Sequence, residues 1–484
     1  MKMVIRIFVF VLALTVTLGI FVSCGGANEG ITTAESEIQS SDSTSREVHP
    51  SIAKKNYDTE FYISISPDTN QPDLYWVAES RSDAMSEAVY TRQERVRKYL
   101  GAEIFAKTTD GEDRYVAPFK AAVMNKDDSV HMLLTHVFYG IDGFITGNYL
   151  TDYNDIPEID LGADYWKYDF MDELSVKGRM YLGFSEYNIL RTNVVAFNKE
   201  MFDRYSDAIG EDFYTMVQNY TWTLDKMISI ANLVYIDEGE MGKTENDTFG
   251  LLADLEVPSA SLLQSSGINI VEMDERGAYK VACYNATNKQ KTSDLVDKLY
   301  DLVRSESAFF TDSIPLPARM FVENKGLMYL SRTTSLPGFL DNNIDFGVIP
   351  YPMYDENQKN VGYRSLQWGG YICIPSYLRD PVMVGETVEM LAFFSDKVNV
   401  AYYEKLLGKQ VADAPLDKEM LNIVWDSVCS DFGLTYGSAM NKTGYSFMIP
   451  SIIREGSTQN LASFNATNEA SANNGLKKFF NSIK

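Results

Sequence analysis

Four cysteines, three histidines and 67 carboxylates are the residues of this 484-residue chain best suited to chemistry, and their spacing limits which chemistry is open. Cys24 closes the stretch Phe21-Val22-Ser23-Cys24 at the end of the only long apolar run. Cys283, Cys373 and Cys429 are odd in number, far apart and without a CxxC or metal-ligand spacing. Three buried thiols is the simpler reading, with a disulfide left open. His49 stands alone, and His131 and His136 form no HExxH arrangement. No GxSxG elbow, P-loop or dinucleotide fingerprint occurs. Paired carboxylates would suit glycoside hydrolysis, but so acidic a chain makes accidental pairs certain, and no local motif marks an acid and a nucleophile. The loop from Asp237 to Asp247 is acidic, yet a calcium loop needs oxygen side chains at its first, third and fifth positions. Here the last two are Gly239 and Met241, which reads as a solvated acidic loop. The expectation is no catalytic residue, no metal and no cofactor.

Around Cys24 the chain reads as an export signal. Lys2 and Arg6 precede an apolar stretch, Ile7 to Val22, shorter than the roughly 20 residues a bilayer span requires. Phe21 to Cys24 resembles the lipobox of bacterial lipoproteins, with Phe21 in place of the usual Leu. That resemblance implies a signal peptide over 1–23 and a lipid-bearing Cys24; an ordinary signal peptide is the alternative. Two or more acyl chains give stable anchoring. Residues 24–56 hold no aromatic side chain and are dominated by small polar and charged ones, so a flexible tether is expected. No second run is long and apolar enough to span a membrane. Against the carboxylates stand 43 Lys and Arg, a formal charge of −24, which opposes nucleic acid and anionic headgroups as partners.

The body alternates strand and helix patterns, the signature of α/β architecture. "EFYISIS" and "DLYWVAE" read as strand or strand-edge segments, and "SEAVYTRQERVRKYLG" as an amphipathic helix stopped by Gly101. "AEIFAKT" follows as a strand. "RTNVVAFNKEMFDRY" gives a strand running into a helix, "TWTLDKMISIANLVY" a helix with a Thr cap, and "NIDFGVIPYP" a strand. No repeat of fixed period occurs.

"NVVAFNKEMFDRY", "YTWTLDKMISIANL", "DTFGL", "IDFGVIPYPMYDENQ", "GGYICIP" and the tail from "YYEKLLGKQ" resemble, in order, the family 1 extracellular solute-binding proteins of bacterial ABC importers, in particular long lipoprotein members associated with carbohydrate uptake. The resemblance implies a type II periplasmic-binding-protein fold: two α/β lobes, a ligand cleft between them and several hinge crossings. It maps the N-terminal lobe to 57–188 and 328–368, and the C-terminal lobe to 189–327 and 369–484. It further implies capture of a carbohydrate, an oligosaccharide, delivered to ABC permease subunits by a monomer held at the outer face of the cell membrane through Cys24. A cell-surface glycoside hydrolase and a non-transport carbohydrate-binding surface protein are the alternatives.

A sugar presents a C–H face and a ring of hydroxyls, so its site needs flat aromatic rings and polar side chains. Closure further requires contacts from both lobes. Residues at the implied crossings and cleft lips are therefore the candidates: Tyr75, Trp76, Asp142, Glu186, Tyr187, Arg191, Gln367 and Trp368. Each has a plainer reading beside it: core packing for Trp76, a turn for Asp142, a structural ion pair for Arg191. Trp222 and Trp425 are expected in the core.

Overall fold

A computed structural model describes residues 46–65, 76–108, 116–137, 140–239, 241–275 and 277–483. Cys24, the signal segment and Tyr75 lie outside these residues.

Two sheets organise the chain. In the strand Thr59–Ile65 the apolar residues Phe61, Ile63 and Ile65 alternate and are buried. It pairs in parallel with Ala102–Thr108 on one side and Met132–His136 on the other. Gly369–Cys373 completes this four-stranded sheet, antiparallel to Met132–His136. The crossover helix Ala84–Leu100 begins at Asp83, whose carboxylate accepts from the Ser86 N–H, and ends at Gly101. Gly101 has φ +66°, and a Cβ there would strike Asn56, so only glycine fits.

The second sheet runs in the order Phe346–Ile349, Asn193–Asn198, Gly326–Arg332, Thr248–Asp254, Tyr235–Ile236, with Ala308–Thr311 also paired to Thr248–Asp254. Every residue of Asn193–Asn198 and of Thr248–Asp254 is buried. Such strands are covered on both faces, which explains their unbroken apolar runs. The predicted strand-to-helix step is present: Asn198 caps the helix Lys199–Ile209, and Thr223 caps Leu224–Ala231.

The chain passes from the first sheet to the second through residues 183–192 and returns through 350–368. This corrects the expected partition. The strands at 326–332 and 346–349 hydrogen-bond to Asn193–Asn198 and lie in the second sheet, whereas Gly369–Cys373 lies in the first. The helices Pro381–Phe393 and Asp396–Leu407 then pack on Ala84–Leu100 of the first lobe. Asp396–Leu407 also touches Leu336–Leu340 of the second lobe, and Pro415–Asp426 packs on Phe346–Ile349 of the second sheet.

A second correction concerns the tether. Residues 46–56 are strapped onto the first lobe. His49 is 3% exposed, and its Nδ1 accepts from the backbone N–H groups of Ser51 and Ile52 at 3.2 and 3.0 Å. With Nδ1 accepting, Nε2 carries a ring hydrogen, 3.1 Å from Oε1 of the fully buried Glu389. Trp166 Nε1 donates to the other oxygen of Glu389 at 2.8 Å. Arg46 grips Glu186 with both terminal nitrogens, at 2.6 and 3.0 Å, and Lys55 pairs with Glu386 at 2.6 Å. Composition hid this, because the segment contributes charges and one imidazole rather than apolar bulk. Removing one partner of a buried carboxylate leaves a desolvated acceptor, at a cost of about 1–3 kcal/mol. His49→Ala is expected to lower unfolding stability by that amount in urea titrations, and a chain beginning at residue 57 to lose more.

Candidate functional site

Ligands of open α/β sheets bind beyond the carboxyl ends of the strands. In the first lobe Met132–His136 ends at such a place, followed by Val137 and by Gly140, which precedes the helix Ile141–Thr146. Opposite stands the second-lobe segment 434–447. Between them lies an open crevice of about 270 Å³, lined by Val137, Gly140, Leu434, Ser438, Lys442 and Phe447 among others. Asp142, in the first turn of the helix, accepts a hydrogen bond from the Ser438 hydroxyl, so one side chain from each lobe meets at the rim. Asn441 and Lys442 both adopt φ +55°, followed by Gly444 at φ +80°. This left-handed turn is costly for residues with a Cβ, and it is held by Asn441 Nδ2 donating to the Ser471 carbonyl at 2.7 Å. The turn sets Lys442, Ser446 and Phe447 along one wall.

Behind the crevice the two crossings are stitched together by one amide. Gln367 is fully buried. Its Oε1 accepts from the Arg191 N–H at 3.0 Å, and its Nε2 donates to the carbonyls of Ile189 and Gly369 at 3.2 and 2.8 Å. The Trp368 N–H donates to the Arg191 carbonyl at 3.1 Å, and the Val137 N–H reaches the Trp368 carbonyl at 3.5 Å. Gly369 must lack a side chain, because a Cβ would sit 2.6 Å from His136 Cδ2. Burial, and then the nearby Arg191 guanidinium, pushes the His136 imidazole down to about 3.

The second sheet presents its own polar end. Asp254 closes the strand Thr248–Asp254 and pairs with Arg332, the last residue of its neighbour, at 2.8 Å. Thr333 Oγ1 donates to the Leu190 carbonyl at 2.8 Å, which ties this end to the first crossing. Burial raises the Tyr351 phenol well above its ordinary value, against the opposing pull of Arg332.

The sequence candidates thus divide. Asp142 meets the rim through Ser438, whereas Arg191 and Trp368 are joined backbone to backbone behind Val137, outside the crevice lining. Gln367 lies there too, but its amide is committed to the backbone. Trp76 and Tyr187 belong to the first-lobe core: Trp76 is fully buried with its ring 5.6 Å from that of Tyr187. Arg92 covers the Tyr187 ring at 4.2 Å and donates to the Trp76 carbonyl at 2.7 Å. Glu186 is occupied by Arg46. Trp222 is in the core as expected. Missed were Ser438, Lys442, Ser446 and Phe447, for which the turn signal Asn-Lys-Thr-Gly was the available clue, and the Asp254–Arg332 pair. In the acidic loop, Asp247 accepts from the N–H groups of Glu238 and Thr244, at 2.9 and 2.8 Å.

These features define a two-lobed α/β protein of the periplasmic-binding-protein fold. Three solved structures share it. The GacH receptor of Streptomyces glaucescens, solved unliganded and with acarbose, is 16% identical, with 88% of this chain and 99% of that chain covered at a TM-score of 0.52. An ABC substrate-binding protein from Listeria monocytogenes, in complex with cycloalternan, is 12% identical over 88% and 98% of the two chains, at 0.50. The maltose/maltodextrin-binding domain MalE from Bdellovibrio bacteriovorus, bound to maltotriose, is 16% identical over 87% and 98%, at 0.50. No protein-family model and no curated protein matches the chain.

The His136 environment has a measurable consequence. Its folded value, about 3, lies below the ordinary 6.5, so between these limits the unfolded chain binds the extra proton. Its contribution to stability is complete above pH 6.5 and is lost as pH falls towards 3, with a slope of at most about 1.4 kcal/mol per pH unit. His136→Gln is expected to flatten the acid limb of a stability–pH profile relative to the unsubstituted protein.

Proposed function

We propose that this chain is an extracytoplasmic solute-binding protein of an ABC importer that captures a carbohydrate, an oligosaccharide, between its lobes and delivers it to the permease. The observation that carries this reading is the crevice at the carboxyl end of Met132–His136, walled by both lobes and backed by two stitched crossings. A ligand touching both walls has differential affinity for closed and open forms, which is what drives closure. Phe447 offers an aromatic face, while Asp142, Ser438, Ser446 and Lys442 offer directional hydrogen bonds, the pairing that a sugar needs. The fold is shared with proteins solved with acarbose, cycloalternan and maltotriose, which favours this ligand class. Nucleotide hydrolysis would belong to partner subunits, since no nucleotide motif is present in the sequence.

The location rests on Cys24. The lipid-bearing cysteine would hold the body at the membrane as a monomer, through a tether that ends at the strap near Arg46 rather than at residue 56. Among the described residues no helix is long and apolar enough to cross a membrane.

The test is a thermal-shift screen of the full chain against mono- and oligosaccharides, amino acids and divalent ions. A saccharide at 100 times its Kd should add about 2.7 kcal/mol of stability and be recovered intact; cleavage would instead indicate a glycoside hydrolase. Phe447→Ala is expected to weaken binding at least tenfold with little change in fold. Trp368→Ala is a poorer probe, because removing a buried indole costs about 3–5 kcal/mol in packing alone.

A further inference from the structure

A second cavity opens where the lobes meet on the other side of the short helix Phe432–Thr435. It measures about 490 Å³, within the roughly 300–1,000 Å³ of small-molecule sites, and is larger than the crevice in front. The first lobe contributes Asp172 and Ser175, the second lobe Asn269, Glu272 and Tyr279, and the C-terminal helix Phe480. The Tyr279 ring lies 4.3 Å from that of Phe432 and 4.2 Å from that of Phe480, which makes one aromatic wall. Tyr279 donates to the Ser175 carbonyl at 3.0 Å, and the Ser430 N–H to Glu173 at 3.1 Å, so both lobes are fixed at its edge. Asp172 has no hydrogen bond or ion pair to its carboxylate among the described residues, leaving its oxygens open to a ligand. Aromatic surface beside amide, carboxylate and hydroxyl groups again suits a polyhydroxylated ring.

The helix between the two cavities is a shared wall. Phe432 lines the rear cavity and Leu434 the front crevice; two residues apart, they point about 200° apart around a helix axis. The buried Asp431 caps this helix through the Leu434 N–H at 2.9 Å. It also accepts from the Ile270 N–H at 2.8 Å and from Gln264 at 2.9 Å. The helix is thereby joined to the hairpin that carries Tyr279, and one position of it leaves both cavities open together.

We propose that the rear cavity is a second saccharide site and that filling it raises the affinity of the front crevice through the Phe432–Thr435 helix. The coupling rests on the front crevice being the capture site. Because both spaces exist in one arrangement, a rear ligand that favours this arrangement favours front binding, and linkage makes the effect reciprocal.

The experiment is a maltose titration of the full chain by native mass spectrometry, with calorimetry for affinities. Three variants accompany it: Ser446→Trp fills the front, Met273→Trp fills the rear from a position 61% exposed, and Asp172→Ala removes a rear acceptor without adding bulk. Two maltose molecules should bind the unsubstituted chain and one each tryptophan variant, and front affinity should fall about fivefold or more in Asp172→Ala, whose rear cavity is left empty. A single maltose, lost in Ser446→Trp and kept in the two rear variants, overturns the rear site and leaves the capture reading intact. A single maltose lost only in the rear variants overturns both the coupling and the front assignment. Two sites of unaltered front affinity overturn the coupling, and no binding at either place overturns both readings.

Discussion

The architecture turns on one buried amide. Gln367 lies in the return crossing, and its side chain holds backbone groups of the outgoing crossing at Ile189 and Arg191 and of its own strand at Gly369. Two segments that are distant in sequence are thereby fixed side by side, and both sheets hang from them. An apolar residue of equal size would leave the Arg191 N–H and two carbonyls without this partner in a dry interior, a penalty of about 1–3 kcal/mol for each group left unpaired. The hydrogen bonds that define these crossings fix how the two sheets are set side by side. The strict packing of Gly369 on His136 follows from the same closeness of the strands.

A related principle governs the first lobe. Glu389 is a carboxylate with no exposure, and it is tolerated because Trp166, Tyr165 and His49 supply donors. Burying an unpaired carboxylate would cost far more than an ordinary domain can spare. The strap at 46–56 is therefore part of the lobe rather than a leash.

What the sequence made legible was local. The Asp83 and Gly101 ends of the first helix, the Asn193–Asn198 strand running into its helix and the Thr223 cap are all set by residues a few positions apart. The α/β class followed from the same alternation. Lobe membership did not follow, because Gly326–Arg332 is apolar on both faces and would satisfy burial in either sheet; its register against Asn193–Asn198 is a non-local choice. His49 escaped for the same reason, its partners lying 116 and 340 positions away. In the crevice, aromatic residues were given priority, yet Trp76 and Tyr187 fill the core. The wall is built from Lys442, Ser446 and Phe447 around a left-handed turn, where backbone geometry rather than residue type is distinctive.

That turn also bears on how an acidic protein treats its ligand. A net charge of −24 repels anions at long range, while Lys442 lines the crevice wall and Asp142 meets Ser438 at the rim. A charged cargo would meet opposing fields outside and inside the crevice. On the carbohydrate reading proposed above, a neutral polyol would meet neither, since a hydroxyl can both accept from an ammonium such as Lys442 and donate to a carboxylate such as Asp142. A mixture of signs at the wall suits directional hydrogen bonding rather than net charge. At the rim, Asp142 meets the Ser438 hydroxyl rather than another acid.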